Sequence, residues 1–231
     1  MIGNKKYNTK KPVWYLLFLF FQLFILLSFN GCTQNTKHEV TWIIADLLKS
    51  KKGVTVFGEP RIIESPFGKA VLFDGLGDGI LLDQMPLNGL KSYTLEMMIR
   101  YDSGGTKEQR VFHTGTMRQD RCLLEMRSNA TTWYFDGMVE TNGNWVVLMD
   151  STLLHPLGEW YHVAFTVKDG QQITYVNGKN ELQGNVSFSP ITEGATSIGV
   201  RQNKISWFKG AIYEIRITGR VLMPNEFIKL Q

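Results

Sequence analysis

The sequence predicts an all-β protein, built as a two-sheet antiparallel sandwich or jelly roll, and three observations carry that prediction. Apolar residues recur at every second position in short runs, the spacing of strands buried on at least one face. Gly, Pro, Asn and Asp punctuate those runs at turn positions. Before the C-terminus no stretch has a convincing helical period beyond two turns.

The segment 160–179 shows the pattern most fully. Tyr161, Val163, Phe165 and Val167 alternate with His162, Ala164 and Thr166, then Asp169-Gly170 supplies a turn. A second strand, 172–176, ends in Asn177-Gly178, and both of those residues tolerate positive φ, which suits a type I′ hairpin. Further strands are expected at 54–57, 61–64, 70–74, 79–82, 93–101, 110–114, 122–127, 132–139, 145–149, 196–200 and 211–218. Residues 40–48 read equally as an opening strand or as one or two helical turns. Residues 223–230, with Pro224 in the first turn, are the one helical candidate.

The N-terminus has a different grammar. Lys5, Lys6, Lys10 and Lys11 precede an apolar run from Val13 to Phe29, and Gly31-Cys32 follow. This is the layout of a bacterial lipoprotein signal peptide, 1–31, with Cys32 as the lipid attachment point, a tether over 32–38 and a folded domain over 39–231. The alternative is an uncleaved membrane anchor, since the run approaches spanning length. Either arrangement puts the folded part outside the cytoplasm on a membrane.

Removing 1–31 takes four of the 25 basic residues and no acid, leaving 21 basic against 21 acidic. The basic balance therefore belongs to the leader, and nucleic-acid binding loses its electrostatic basis. With Cys32 lipidated, Cys122 has no partner; in the run CLLEM it reads as a small buried hydrophobe.

Several islands together resemble bacterial laminin-G-like (concanavalin A-like) jelly-roll domains. Phe73-Asp74-Gly75 with Gly77-Asp78-Gly79 is similar to that family's FDG…D entry, and Tyr93-Thr94-Leu95-Glu96 stands at its FTISAW strand. Glu159-Trp160-Tyr161-His162-Val163-Ala164 resembles its W-H-V-A strand, and Tyr175-Val176-Asn177-Gly178 its LYVDGK hairpin. Phe208-Lys209-Gly210 with Ile212 and Glu214 to Ile217 is similar to the closing F-K-G-x-I-D-E-V-R-I. The resemblance spans about residues 40–231. It implies the fold and not a function, because lectins, adhesion modules, glycosidases and lyases share it. It also implies a possible calcium ion near the rim, with Asp74 as one ligand. Tyr213 stands where the family often has Asp, however, and an Asx turn is the favoured role for Asp74, so no metal or other cofactor is assigned.

In such a fold the polar positions on otherwise apolar strands say what an open sheet face displays. If their strands are neighbours, Glu96, Arg100, Glu125, Arg127 and His162 form a mixed-charge floor. The plainer reading is a solvated face with cross-strand ion pairs, each contributing about 0.2–1 kcal/mol. Arg110, His113, Arg201, Asn203 and Trp207 are candidates for a rim. Exposed Trp beside Arg, Asn and His suits a sugar: the ring stacks on pyranose C–H groups while planar side chains bridge hydroxyls, and Arg also suits a uronate. Trp133, Trp145, Trp160 and Trp207 suit core or edge packing equally, Trp160 above all.

The expected function is non-covalent capture of a glycan or polysaccharide, with membrane attachment through Cys32. Alternatives are a glycoside hydrolase or polysaccharide lyase of the same fold, and a protein-binding adhesion module. No paired-carboxylate strand motif, nucleophile triad, metal-spaced His or phosphate loop supports catalysis, although Glu96 and Glu125 would suit a cleft pair.

Overall fold

The computed structural model describes residues 38–230. Cys32, the leader and most of the tether lie outside the described residues.

Two antiparallel sheets of eight strands each face one another. Sheet A contains β1 (Glu39–Ile43), β3 (Arg61–Ser65), β4 (Gly68–Asp74), β6 (Ser92–Tyr101), β12 (Trp160–Lys168), β13 (Gln171–Val176), β14 (Lys179–Asn185) and β16 (Lys209–Thr218). Its order is β14-β13-β12-β6-β16-β4-β3, with β1 also paired to β16. Sheet B contains β2 (Val54–Phe57), β5 (Gly79–Leu82), β7 (Glu108–Gly115), β8 (Arg121–Ser128), β9 (Thr132–Thr141), β10 (Asn144–Met149), β11 (His155–Pro156) and β15 (Ala195–Ile198). Its order is β10-β9-β8-β7-β15-β5-β2, with β11 on β9. This is the expected jelly-roll sandwich.

The alternating residues build the core as their spacing dictates. From sheet A come Leu95, Met97, Ile99, Val163, Phe165, Val167, Ile215 and Ile217; from sheet B come Phe112, Leu124, Met126, Trp133, Phe135, Val139 and Ile198. Their successors along each strand must point outward. At Gly137 and Gly184 the sheets approach closely enough to favour glycine: a Cβ would stand 2.9 Å from the Phe165 ring and 2.9 Å from Leu148, respectively. Some polar groups inside the sandwich are paired, the Thr114 and Thr196 hydroxyls lying 2.8 Å apart and Gln172 Nε2 donating across to the Val146 carbonyl at 2.9 Å, whereas Trp133 Nε1 and Gln172 Oε1 have no hydrogen-bond partner among the described residues. Cys122 is buried and unpaired among the described residues, as its apolar context implies, and burial pushes its thiol up to about 12.

Asn177 and Gly178 have φ of +50° and +75°, the type I′ geometry expected between β13 and β14. The undecided 40–48 segment contains both readings: β1, then a single helical turn, α1 (Ile44–Leu47), whose Ile44 and Ala45 are buried. The helix expected at 223–230 does not form; only Pro224–Glu226 makes a 3-10 turn. Phe227 is then extended and seats its ring 5.2 Å from both His162 and Tyr175, while the Ile228 amide donates to Glu96. Tertiary contacts thus draw the tail out straight over sheet A.

Phe165→Ala removes a fully buried ring where β12 packs against Gly137 of the facing sheet. It is expected to cost about 3–5 kcal/mol, read as a lower urea midpoint at unchanged m-value; an unshifted midpoint would contradict this packing.

Candidate functional site: the outer face of sheet B

The expected single floor divides between the two sheets. Glu96, Arg100 and His162 lie on β6 and β12 of sheet A, whereas Glu125 and Arg127 lie on β8 of sheet B. Because the core separates the sheets, the two sets of outward side chains face opposite directions.

On sheet A the tail closes the face. Glu96 is fully buried and accepts from His162 Nε2 at 3.0 Å, Arg216 Nε at 2.7 Å and the Ile228 amide at 2.8 Å. His162 is likewise buried. These two residues fasten the tail, and His162 also lines a groove of about 440 Å3 between the tail and the Asn177-Gly178 turn. Arg100 makes a two-pronged pair with Asp102 at 2.8 and 2.9 Å, and its guanidinium lies 5.7 Å from the Trp160 ring. Trp160 is not in the core as expected; it is half-buried on the outer face, edge-on to Phe67 at 5.6 Å.

Sheet B keeps its outer face open along the β10 edge, while Leu123, Glu125 and Asp136 farther in are buried. Strand pairing sets it out in rows: Arg110 opposite Glu125 opposite Asp136 opposite Met149, then Leu123, Met138 and Val147, then Arg121, Glu140 and Trp145. Edge strand β10 leaves Trp145 60% exposed, with Val147 at 43% and Met149 at 45%. An indole that open costs apolar hydration, and it makes no aromatic ring contact among the described residues.

Beside this apolar strip lies an ionic lattice. Arg110 Nε is 2.6 Å from Glu125 Oε1, Arg127 Nε is 2.6 Å from Asp136 Oδ2, and Arg127 Nη1 is 2.6 Å from Glu108 Oε1. Arg121 Nη2 holds Glu140 at 2.7 Å. Burial raises the Glu125 pKa to about 7; Arg110 pulls it down, and Asp136 across the strand pushes it up. Burial raises Asp136 too, against its bond from Arg127. Here desolvation outweighs even a contacting guanidinium.

Of the rim candidates, His113 is buried beneath the 199–208 loop, donates from Nε2 to the Thr116 carbonyl at 2.9 Å and accepts the Gln202 amide on Nδ1 at 3.5 Å. Burial, reinforced by Arg121, Arg201 and Arg110, lowers its pKa to about 4, so it is a neutral structural group. Arg201 lies on that loop beside the sheet B face, and Asn203 is exposed at the loop tip. Trp207 stands edge-on to Phe57 at 6.4 Å, away from Trp145 at the far edge of the sheet. The structure therefore brings Arg110, Glu125, Arg127 and Arg201 onto one face and leaves Glu96, Arg100 and His162 on the other. Sequence reasoning left out Asp136, Glu140 and Trp145. The alternation of Asp136 and Glu140 with Phe135 and Val139 marks them as outward, a signal available in the strand itself.

Where the face meets the end of the sandwich, a groove of about 440 Å3 opens between Gly104, Gly105, Lys107, Ser128, Asn129 and Leu157. The whole arrangement is a stacking surface beside fixed donors and acceptors.

The profile of the concanavalin A-like lectin/glucanases superfamily matches residues 74–227, more than half of the chain. The chain belongs to this superfamily. No curated protein matches. Among solved structures, domain 4 of AbnA, an extracellular GH43 arabinanase from Geobacillus stearothermophilus solved in complex with arabinotriose, has a TM-score of 0.57 at 22% identity, covering 75% of this chain and 85% of that one. The botulinum neurotoxin serotype D binding domain has 0.56 at 12% identity, over 75% of this chain and 44% of that one. The binding domain of botulinum neurotoxin DC in complex with SialylT has 0.53 at 13%, over the same shares. At these identities the likeness is one of fold.

The superfamily's rim calcium does not fit the donors here. Asp74 Oδ1 accepts from the amides of Leu76, Gly77 and Asp78 at 2.8, 2.9 and 3.1 Å, the expected Asx-turn role. Although burial opposes it, those amides lower the Asp74 pKa. Asp78 is committed to the amides of Glu59 and Asp74, and no group of three metal-ligating side chains forms among the described residues.

The raised Glu125 and Asp136 give a signed pH dependence. Between about 4.5, its ordinary value, and about 7, Glu125 holds a proton in the folded chain that the unfolded chain has released. The folded state binds more protons across that window, so stability falls as pH rises through it. The urea midpoint is expected to drop over this range, and Glu125→Gln to flatten the drop; an unchanged slope would place the titration elsewhere.

Proposed function

We propose that the protein is a membrane-tethered, extracytoplasmic carbohydrate-binding protein that holds a glycan on the outer face of sheet B. The observation that carries this reading is Trp145, which stands 60% exposed at the end of a row continued by the ion-paired Glu140 and Arg121. A pyranose stacks its C–H face on the indole and sets its hydroxyls against the carboxylate and guanidinium of the same row. Because those polar groups are already held by one another, little side-chain entropy remains to be lost on binding. The arabinotriose held by the arabinanase domain and the SialylT held by the neurotoxin domain support a glycan as ligand for this fold. Arg110, Glu125 and Arg127 form the rigid floor beside the ligand, and Lys107 and Asn129 extend the face at the rim groove.

Tethering rests on the basic leader, the apolar run and Cys32, which becomes the lipidated N-terminus of an outer-membrane or cell-surface protein. Tritiated palmitate is expected to label the wild-type chain and not Cys32→Ser. A wild-type chain that takes up no label would remove the lipoprotein assignment.

Affinity-gel electrophoresis across a polysaccharide panel tests the binding reading. At least one polymer is expected to retard the protein, and Trp145→Ala to weaken that retardation about tenfold or more, as loss of a stacked aromatic implies, while leaving the urea midpoint in place. Retardation unchanged in Trp145→Ala would move the site off this face.

A further inference from the structure

We propose that the glycan held on sheet B is acidic, and that Arg201, Arg121 and Arg118 form the subsite for its carboxylate or sulfate. This rests on the carbohydrate reading above and names the class of sugar.

Three arginines converge at one corner of the face. Arg121 Nη1 and Arg201 Nη2 both donate to the Met117 carbonyl oxygen, at 2.6 and 3.4 Å. Two guanidiniums sharing one acceptor place like charges side by side, which is unfavourable without an anion between or beside them. Arg118, the next residue after that carbonyl, is exposed on the same turn.

The carboxylates nearby pair with only one of the three. Glu140 pairs with Arg121 at 2.7 Å, and Glu125 is taken by Arg110 at 2.6 Å. Asp120 turns its carboxylate to the Asn142 amide at 2.7 Å. Among the described residues neither Arg201 nor Arg118 has an ion-pair partner. The Nε atoms of Arg121 and Arg201 are buried and donate to nothing among the described residues. A buried, charged donor without an acceptor is costly, and because guanidinium keeps its proton, an anion reaching the exposed part of these groups compensates their charge as a neutral acceptor does not. Burial, with the Arg121 and Arg118 charges, depresses Arg201, and the more distant Glu125 and Glu140 only partly oppose that shift.

The corner also lies in line with the stacking residue. Arg121, Glu140 and Trp145 are consecutive in one cross-strand row, so the tryptophan stands about 10 Å from Arg121, two strand spacings away. A chain of sugars laid along the row meets the indole with one residue and the arginines with another. Planar, forked guanidinium is the side chain that binds carboxylate and sulfate with two parallel hydrogen bonds.

The test uses the full-length chain in detergent, with affinity gels containing polygalacturonate for the carboxylate, dextran sulfate for the sulfate and dextran as the neutral polymer. At least one acidic polymer is expected to retard the protein ten times more than dextran does, and the polymer that does so identifies the group. Arg118→Ala, at an exposed position, and Arg201→Ala are each expected to lower that acidic-over-neutral ratio about tenfold, the loss of one charge-assisted contact. Lys179→Ala, on β14 of the other sheet, is expected to leave it unchanged. Equal retardation by all three polymers overturns the proposal while leaving glycan binding in place, as does a ratio that survives both arginine substitutions or falls equally in Lys179→Ala. No retardation by any of these, in a protein that a wider neutral panel does retard, overturns it also; failure with every polymer overturns the carbohydrate reading itself.

Discussion

The fold depends on one constraint, the burial of two alternating faces against each other. A strand that gives Val163, Phe165 and Val167 to the core must send His162, Ala164 and Thr166 to the far side. With two sheets there are two far sides, pointing apart, and the chain treats them differently. One receives the extended tail, held by Thr94 and Glu96 and packed through Leu222 and Phe227 on Ala164 and Tyr175. The other is left to solvent along β10, and there the open tryptophan strip borders the buried charged rows.

Glu96 and Glu125 illustrate how environment assigns different roles to similar carboxylates. Both are buried, both are outward-pointing, and each meets an arginine. Glu96 collects a histidine, an arginine and a backbone amide from three separate parts of the chain, so its hydrogen-bonding capacity is spent on joining them. Glu125 sits in a lattice with two other carboxylates, Asp136 and Glu108, and two arginines, so its charge is opposed as well as supported. The first is a clasp. The second is a floor whose charge follows pH.

Much of the architecture was legible because strand grammar is local. Alternation at 93–101 and 161–167, and the Asn-Gly and Asp-Gly pairs, need only a few residues to state their meaning, and the structure follows them closely. β14 escaped because KNELQGN has no alternating apolar residues; it is a mostly exposed edge strand held by backbone pairing to β13. The tail escaped for the opposite reason, since its shape is set by Glu96, more than a hundred residues earlier. The site was half legible. Outwardness can be read from a single strand, so Glu125 and Arg127 were found, whereas Arg110 was read as a rim residue and lies within β7. Which outward residues share a sheet depends on strand order, which no single run contains, and so Glu96 and His162 were grouped with residues they never meet.

The beginning of the described chain and its end lie on the same sheet. β1 runs along β16, the Gly219 amide donates to the His38 carbonyl at 2.7 Å, and the last residues cross the outside of sheet A. An object gripped by its back presents its front. Coupling this domain to a sensor chip or a bead through either extremity would therefore leave the tryptophan surface turned toward the bulk solution, without the random orientations that lysine chemistry produces.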